Sequence, residues 1–204
     1  MTRQLSKLAI ALLLLAPAVA FAQARVLQFR SAEDPNSPAD PAVCALAPFA
    51  ANLRIGGTLY AYPTRRDDGQ VEVNRSHPIG RATACAQITS LAFPAGLQQK
   101  FFVGLQLPDG NYTAAGTCTI VSNDVPRRGL VLAGCSLKLT SFPAGVTGGA
   151  VVSLSTFNPL RLQGFATGSY WTVQIYDAAG EQGPESDSDK AMDWAEGDDH
   201  DDAG

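Results

Sequence analysis

The sequence predicts an all-β protein, a small closed antiparallel barrel of about eight strands that is stapled by disulfides and followed by a disordered acidic tail. Apolar and polar residues alternate with a period of two along short segments, and Gly, Pro, Asn and Asp separate these segments. The body shows no sustained helical spacing of apolar residues. An even number of cysteines behind an apolar leader predicts the disulfides.

Residues 1–22 are typical of a secretory signal peptide. Arg3 and Lys7 precede an apolar run that is too short to span a membrane, and Ala20 and Ala22 then stand where a signal peptidase reads small residues. An uncleaved membrane anchor is the alternative. No later segment is apolar enough to form a transmembrane helix, so we expect an exported protein, periplasmic or extracellular.

The acidic residues are concentrated at the other end of the chain. Residues 178–204 hold ten of the 19 acidic residues and one lysine, which predicts a disordered tail. Its DDHDD segment contains metal-binding residue types, but no fold would preorganise them, so we predict no metal site. Residues 25–177 form the predicted barrel domain, whose charge of +3 is too weak to predict nucleic-acid binding.

The cysteine spacing fits neither a zinc ribbon nor a CxxC redox motif. A hairpin centred on the turn SNDVPRRG at residues 122–129 would set Cys118 directly opposite Cys135, within disulfide range. We therefore predict the bond Cys118–Cys135, which leaves Cys44 to pair with Cys85. Four free thiols are the alternative.

The strand-like segments follow one another along the whole body. Asp-Gly between the second and third segments is typical of a hairpin turn. The first segment is expected as an edge strand, and closure of the barrel would remove other exposed edges. The predicted strands cover residues 26–30, 57–62, 70–74, 79–89, 100–107, a segment carrying Cys118, 131–139, 151–156 and 167–176.

Two of these strands have a wholly apolar face. They are the strands at 100–107 and 167–176. In the second strand, the apolar residues Trp171, Val173 and Ile175 alternate with Tyr170, Thr172, Gln174 and Tyr176. If the barrel is not filled by side chains, these faces would line a cavity for a small apolar ligand. A dry packed core is the alternative. The predicted lining residues are Phe101, Val103, Leu105, Trp171, Val173 and Ile175.

The segments IGRATACAQI, FFVGLQLPDGNYTAAG, FPAGVTGGAVV and TVQIY occur in an order that resembles the allene oxide cyclase-like barrels, a group that includes plant dirigent proteins. The resemblance covers residues 79–176. It implies an eight-stranded barrel with an apolar cavity, and a homo-oligomer, namely a trimer. No catalytic carboxylate of the family matches a residue of this chain, so the resemblance carries over no activity.

Catalytic motifs are absent from the sequence. It contains no GxSxG elbow, phosphate loop, Rossmann fingerprint or HExxH motif, and we expect no cofactor. His77 is the one histidine of the body, and we expect it in a surface loop. Asp67 and Asp68 are expected at a hairpin tip, and Arg127 and Arg128 in another turn, where they would be solvated unless they hold an anion.

The sequence therefore favours an exported, non-catalytic barrel that binds a small apolar ligand or a protein partner. An isomerase or cyclase that confines a reactive intermediate in the cavity is the first alternative. A small outer-membrane barrel is the second, because SYWTVQIY is similar to a membrane-barrel strand with an aromatic end.

Overall fold

The computed structural model describes residues 24–61 and 77–178. In this part of the chain, antiparallel strands form a closed eight-stranded barrel in which each strand pairs with its sequence neighbours and the last pairs with the first. The predicted fold class is confirmed. The elements are β1 Ala24–Glu33, α1 Pro41–Ala45, β2 Leu53–Ala61, β3 Pro78–Gln87, β4 Gln98–Leu107, β5 Gly110–Ser122, β6 Val131–Ser141, β7 Val146–Phe157 and β8 Gly168–Asp177.

Several predictions fall outside the described residues. These are the signal peptide, the strand at 70–74 and all of the acidic tail after residue 178. The described part contains no helix with the length and apolar character needed to cross a bilayer.

Strand β1 closes the barrel. It pairs with β8 from Ala24 opposite Tyr176 to Ala32 opposite Gly168, and its other side pairs with β2. The expectation that residues 26–30 form an edge strand is therefore wrong, because closure provides partners on both sides. We call the end where β1 begins and β8 ends the closed end, and the opposite end the open end.

The side chains of β8 alternate between the barrel interior and the outer surface. Trp171, Val173 and Ile175 are buried inside the barrel. Tyr170 and Tyr176 point outward and are 48% and 41% exposed. The period of two in the sequence thus separates the core from the surface, as it does in half-buried strands generally.

A short helix covers part of the outer surface. In α1, Asp40 caps the first turn by accepting a hydrogen bond from the Ala42 N–H at 2.8 Å, and Pro41 occupies the first position. The disulfide between Cys44 and Cys85 joins α1 to β3. Because α1 has only five residues, it leaves no helical periodicity in the sequence, and sequence reasoning did not predict it.

Both predicted disulfides are present. Cys118 and Cys135 are register partners in the β5–β6 hairpin, with Cα atoms 4.0 Å apart, and both face the barrel interior. Cys44 and Cys85 have Cα atoms 5.6 Å apart and lie in a separate apolar cluster with Phe102, outside the barrel. One bond therefore crosslinks the interior wall, and the other fastens α1.

Large side chains fill the interior toward the closed end. The fully buried ones come from every strand except β3, whose alanines face the interior and whose Ile79 packs, partly buried, against the core. Close packing of this kind supplies most of the apolar burial of a small barrel. The large buried residues of this half are Phe29, Leu59, Val103, Leu105, Tyr112, Leu137, Leu139, Val151, Val173 and Ile175.

We predict that Leu105→Ala lowers the free energy of unfolding by about 2–5 kcal/mol, because Leu105 is 1% exposed and its loss leaves a void in the packed half. Denaturant unfolding measures the change. The control is Leu154→Ala on the outer face, where the residue is 54% exposed and the expected change is within about 0.5 kcal/mol. Equal effects of the two variants would contradict the assigned inner and outer faces.

Candidate ligand cavity

Small side chains leave space in the half of the barrel toward the open end. Strand β3 contributes Ala82, Ala84 and Ala86 to the wall, and the disulfide between Cys118 and Cys135 forms the part of the wall on β5 and β6. The interior at this level encloses a mainly apolar cavity of about 100 Å³. The cavity exists because alanine, cysteine and serine occupy positions at which the other half carries leucine, valine or an aromatic residue.

The size of the cavity limits what it can hold. An engineered apolar cavity of about 150 Å³ is large enough for benzene, whereas pockets for drug-sized molecules measure about 300–1,000 Å³. This cavity, at about 100 Å³, is smaller than that benzene site, so a small ring or a short aliphatic chain would bind in it with part of the molecule in the open end. Any larger ligand has to extend through the open end.

One wall of the cavity is polar, and its serine hydroxyls and indole N–H each take part in a hydrogen bond. The Trp171 indole Nε1–H donates to Ser31 Oγ at 2.9 Å, and the hydroxyl oxygens of Ser155 and Ser169 are 2.7 Å apart. These residues come from β1, β7 and β8 and all line the cavity. The indole ring is also stacked on Phe29, with ring centroids 6.5 Å apart, and this contact holds Trp171 in place.

Gln99 on β4 faces the cavity from the other side of the barrel. Its side-chain oxygen accepts a hydrogen bond from the Thr89 N–H at 3.1 Å. Its Nε2 atom is buried and has no hydrogen-bond partner in the described part of the chain. The residue is 3% exposed, so bulk water does not satisfy this donor.

Aromatic residues stand at the open end. Phe93, from the β3–β4 connection, and Phe157, at the end of β7, form an edge-to-face pair with centroids 5.7 Å apart. Both belong to the cavity wall and to an adjoining groove of about 340 Å³, which we call the rim groove. Leu91 and Thr89 also line the rim groove, and Leu91 is 86% exposed. A ligand that extends out of the cavity would therefore continue along an apolar surface.

A polar cluster occupies the closed end. The buried Tyr112 hydroxyl donates to Asp109 Oδ2 at 2.8 Å, and Arg25 Nη1 donates to the same oxygen at 2.8 Å. Arg25 Nε is also 3.4 Å from Asp177 Oδ2. Burial and then the hydrogen bond to Asp109 raise the pKa of Tyr112 to about 12, and the nearby Arg25 opposes this rise.

The structure separates the six predicted lining residues into two groups. Phe101 and Trp171 lie on the cavity wall. The other four are packed in the core beside or below the cavity, with exposures of 0–1%. This second group consists of Val103, Leu105, Val173 and Ile175.

Sequence reasoning missed other wall residues. The alternation in ATACA, residues 82–86, places three alanines on one face of β3, and this pattern would have indicated space inside the barrel. Gln99 lay just before the predicted strand at 100–107, so its inward position was not considered. No pattern in the sequence shows that its amide lacks a partner, because that depends on residues brought together from different strands.

The remaining candidates do not join the cavity. His77 is exposed and lies directly before β3, and Arg127 and Arg128 are exposed in the β5–β6 connection. Asp67 and Asp68 lie outside the described residues, as does the DDHDD segment. Within residues 24–61 and 77–178, no three His, Cys, Asp or Glu side chains are grouped so that they could hold a metal ion.

Comparison of the chain with protein-family models, with curated proteins and with solved structures finds no match in any of the three. The resemblance to allene oxide cyclase-like barrels therefore stays a prediction.

We predict that the free energy of unfolding falls between pH 10 and pH 12 and that Tyr112→Phe weakens this fall. An unfolded tyrosine ionises near pH 10, whereas folded Tyr112 keeps its proton up to a pKa of about 12. Over this interval the unfolded state binds fewer protons than the folded state, so rising pH favours unfolding. Urea unfolding at several alkaline pH values measures the slope. Equal slopes for the wild type and the variant would contradict the raised pKa.

Proposed function

We propose that this protein is an exported β-barrel that binds a small apolar ligand, non-catalytically, in the cavity near its open end. The observation that carries the proposal is the mainly apolar cavity of about 100 Å³ in a barrel whose other half is closely packed. Apolar, largely preformed spaces with a few polar groups are the usual form of a small-molecule site.

The disulfides support the export part of the proposal. Both bonds join parts of the fold that are distant in sequence, with separations of 41 and 17 residues. Such structural disulfides persist in oxidising compartments such as the periplasm or the extracellular space. The predicted signal peptide at residues 1–22 agrees with this location.

The chemistry of the wall favours binding over acid–base catalysis. Among the described residues, Glu33 is the only side chain of the wall that carries a charge at neutral pH. Its two carboxylate oxygens accept hydrogen bonds from Arg161 at 3.0 and 3.1 Å. Both oxygens of this carboxylate are therefore already hydrogen-bonded within the protein. An isomerase or cyclase, the activity that the family resemblance would imply, would have to act by confining its substrate. The trimer that the same resemblance implies stays a prediction.

The outer surface argues against the alternative of an outer-membrane barrel. Lys100, Lys138 and Gln174 lie on outward faces and are exposed, while the largest apolar cluster of the same strands lies inside the barrel. A membrane barrel has the opposite arrangement, and a lysine that faces lipid at mid-bilayer costs about 2–4 kcal/mol.

We predict that phenol, a single-ring probe, changes the fluorescence of Trp171 in a saturable manner, because this indole lies on the cavity wall. The second tryptophan, Trp194, is replaced by Phe so that the emission reports Trp171 alone. Native mass spectrometry of the protein purified from its own export route serves as an independent measurement, since a ligand acquired there would be released on mild denaturation.

The variant Ala84→Leu should abolish the response to phenol, because the added side chain fills space in the cavity. The matched control is Thr117→Leu on the exposed outer face of β5, which should leave the response unchanged. An unaltered response in Ala84→Leu, or no response in the parent protein at saturating phenol, would refute binding in this cavity.

A further inference from the structure

We propose that the ligand of this cavity carries a neutral carbonyl-type oxygen, and that the side-chain amide of Gln99 binds it. This inference rests on the proposed function and specifies the ligand class. It assigns Gln99 as the residue that determines specificity, by donating a hydrogen bond from Nε2 to the ligand oxygen.

The orientation of the amide follows from its neighbour. A backbone N–H can only donate, and the Thr89 N–H lies 3.1 Å from the Gln99 side-chain oxygen. Thr89 Oγ1 lies 3.5 Å from the same oxygen. Reversing the amide would place the Thr89 N–H against another donor. The side-chain oxygen of Gln99 is therefore hydrogen-bonded to Thr89, and the NH₂ group is left to bind a ligand.

The NH₂ group needs an acceptor. Gln99 is 3% exposed, and its Nε2 has no partner among the described residues. Buried polar groups are almost always hydrogen-bonded in native proteins, and a buried donor without a partner is costly. Because Gln99 belongs to the cavity wall, an oxygen of a bound ligand can supply the missing acceptor.

Each of the three serine hydroxyls on the wall already takes part in a hydrogen bond, whereas Gln99 Nε2 takes part in none. Ser155 and Ser169 are hydrogen-bonded to each other, and Ser31 accepts the Trp171 N–H. They lie on β1, β7 and β8, whereas Gln99 lies on β4, so they face Gln99 across the cavity. The remaining wall is largely apolar and suits the hydrocarbon part of the same ligand.

The ligand oxygen has to be neutral. No basic side chain of the described residues lines the cavity, and the acidic Glu33 is part of its wall. A carboxylate group inside the cavity would lose its hydration without gaining a cationic partner. The site therefore fits a ketone, aldehyde, ester or amide oxygen, and excludes a fatty acid that enters with its carboxylate first.

The position of Gln99 along the barrel determines where the ligand oxygen would bind. Thr89, the partner of Gln99, lies in the rim groove, whereas Gln99 itself lines the cavity. The carbonyl group would thus bind where the cavity meets the rim groove. A ring or short chain on one side of the carbonyl group fills the cavity, and any larger substituent leaves along Phe93 and Phe157.

The test compares cyclopentanone with methylenecyclopentane, which have the same shape but differ in the oxygen. Fluorescence of Trp171, in the Trp194→Phe background, gives both affinities. The ketone loses more hydration than the alkene on entering an apolar cavity, so the hydrogen bond is measured by comparing the ratio of the two affinities in the parent protein with the ratio in Gln99→Met. We expect this ratio to favour the ketone about tenfold more in the parent protein, the effect of one additional hydrogen bond. In ¹⁵N-edited NMR spectra, the side-chain NH₂ signals of Gln99 should move downfield with the ketone and not with the alkene.

The variant Gln99→Met should lose about tenfold in its affinity for the ketone relative to the alkene, and should bind the alkene at least as tightly as the parent does. Its neighbour Gln98 is exposed on the outer face of β4, so Gln98→Met is the matched control and should keep the affinity ratio of the parent. The side-chain NH₂ signals that are absent from the spectrum of Gln99→Met are those of Gln99 in the parent protein. If Gln99→Met does not fold, the Gln99 amide signals of the parent protein still decide the proposal, because they should move with the ketone and not with the alkene.

The outcomes separate the two proposals. An affinity ratio that is the same in Gln99→Met as in the parent, with no movement of the Gln99 amide signals on addition of the ketone to the parent, would overturn the role of Gln99 and leave the cavity as a binding site. Absence of binding by both compounds at saturating concentration would overturn the proposed function and, with it, this assignment.

Discussion

Backbone pairing between β1 and β8 is the constraint on which the rest of this structure depends. It gives every strand two partners and so removes the exposed edges that an open sheet would present. It also fixes the height along the barrel axis at which each residue lies. Ser31 is opposite Ser169, and Ser169 is opposite Ser155, which in turn is opposite Ala133. A slip of one residue in any of these pairings would turn inward-facing side chains outward.

The register brings small residues together at one level, and this arrangement creates the cavity. The row from Ser31 to Ala133 occupies four adjacent strands, and the alanines of β3 lie on the other side of the interior. Toward the closed end the inward residues are large and exclude solvent. The packed half therefore provides the stability that allows the other half to remain incompletely filled.

Much of the fold could be predicted from local patterns. Alternation in 131–139 and 167–176 identified strands, and the turn at 122–129 fixed the partner of Cys118, because both are properties of neighbouring residues. The cavity could be predicted only in part. Val103 and Phe101 share one face of β4, yet one is packed and the other lines the cavity, because the difference depends on which residues stand opposite them. The free amide of Gln99 has the same origin in the tertiary structure.

The pairing of β1 with β8 also determines at which end of the barrel a support or a fusion partner can be attached. Ala24 begins β1 and Asp177 ends β8, and both lie at the closed end, near Ala178, whose N–H donates to Gly145. A strand of ten residues extends roughly 33 Å, so both points of attachment are separated from the cavity mouth by about the height of the barrel. A tether, label or fusion partner joined before Ala24 or after Asp177 would leave the mouth directed away from the support. Immobilised in either way, the protein would present its cavity to the solution.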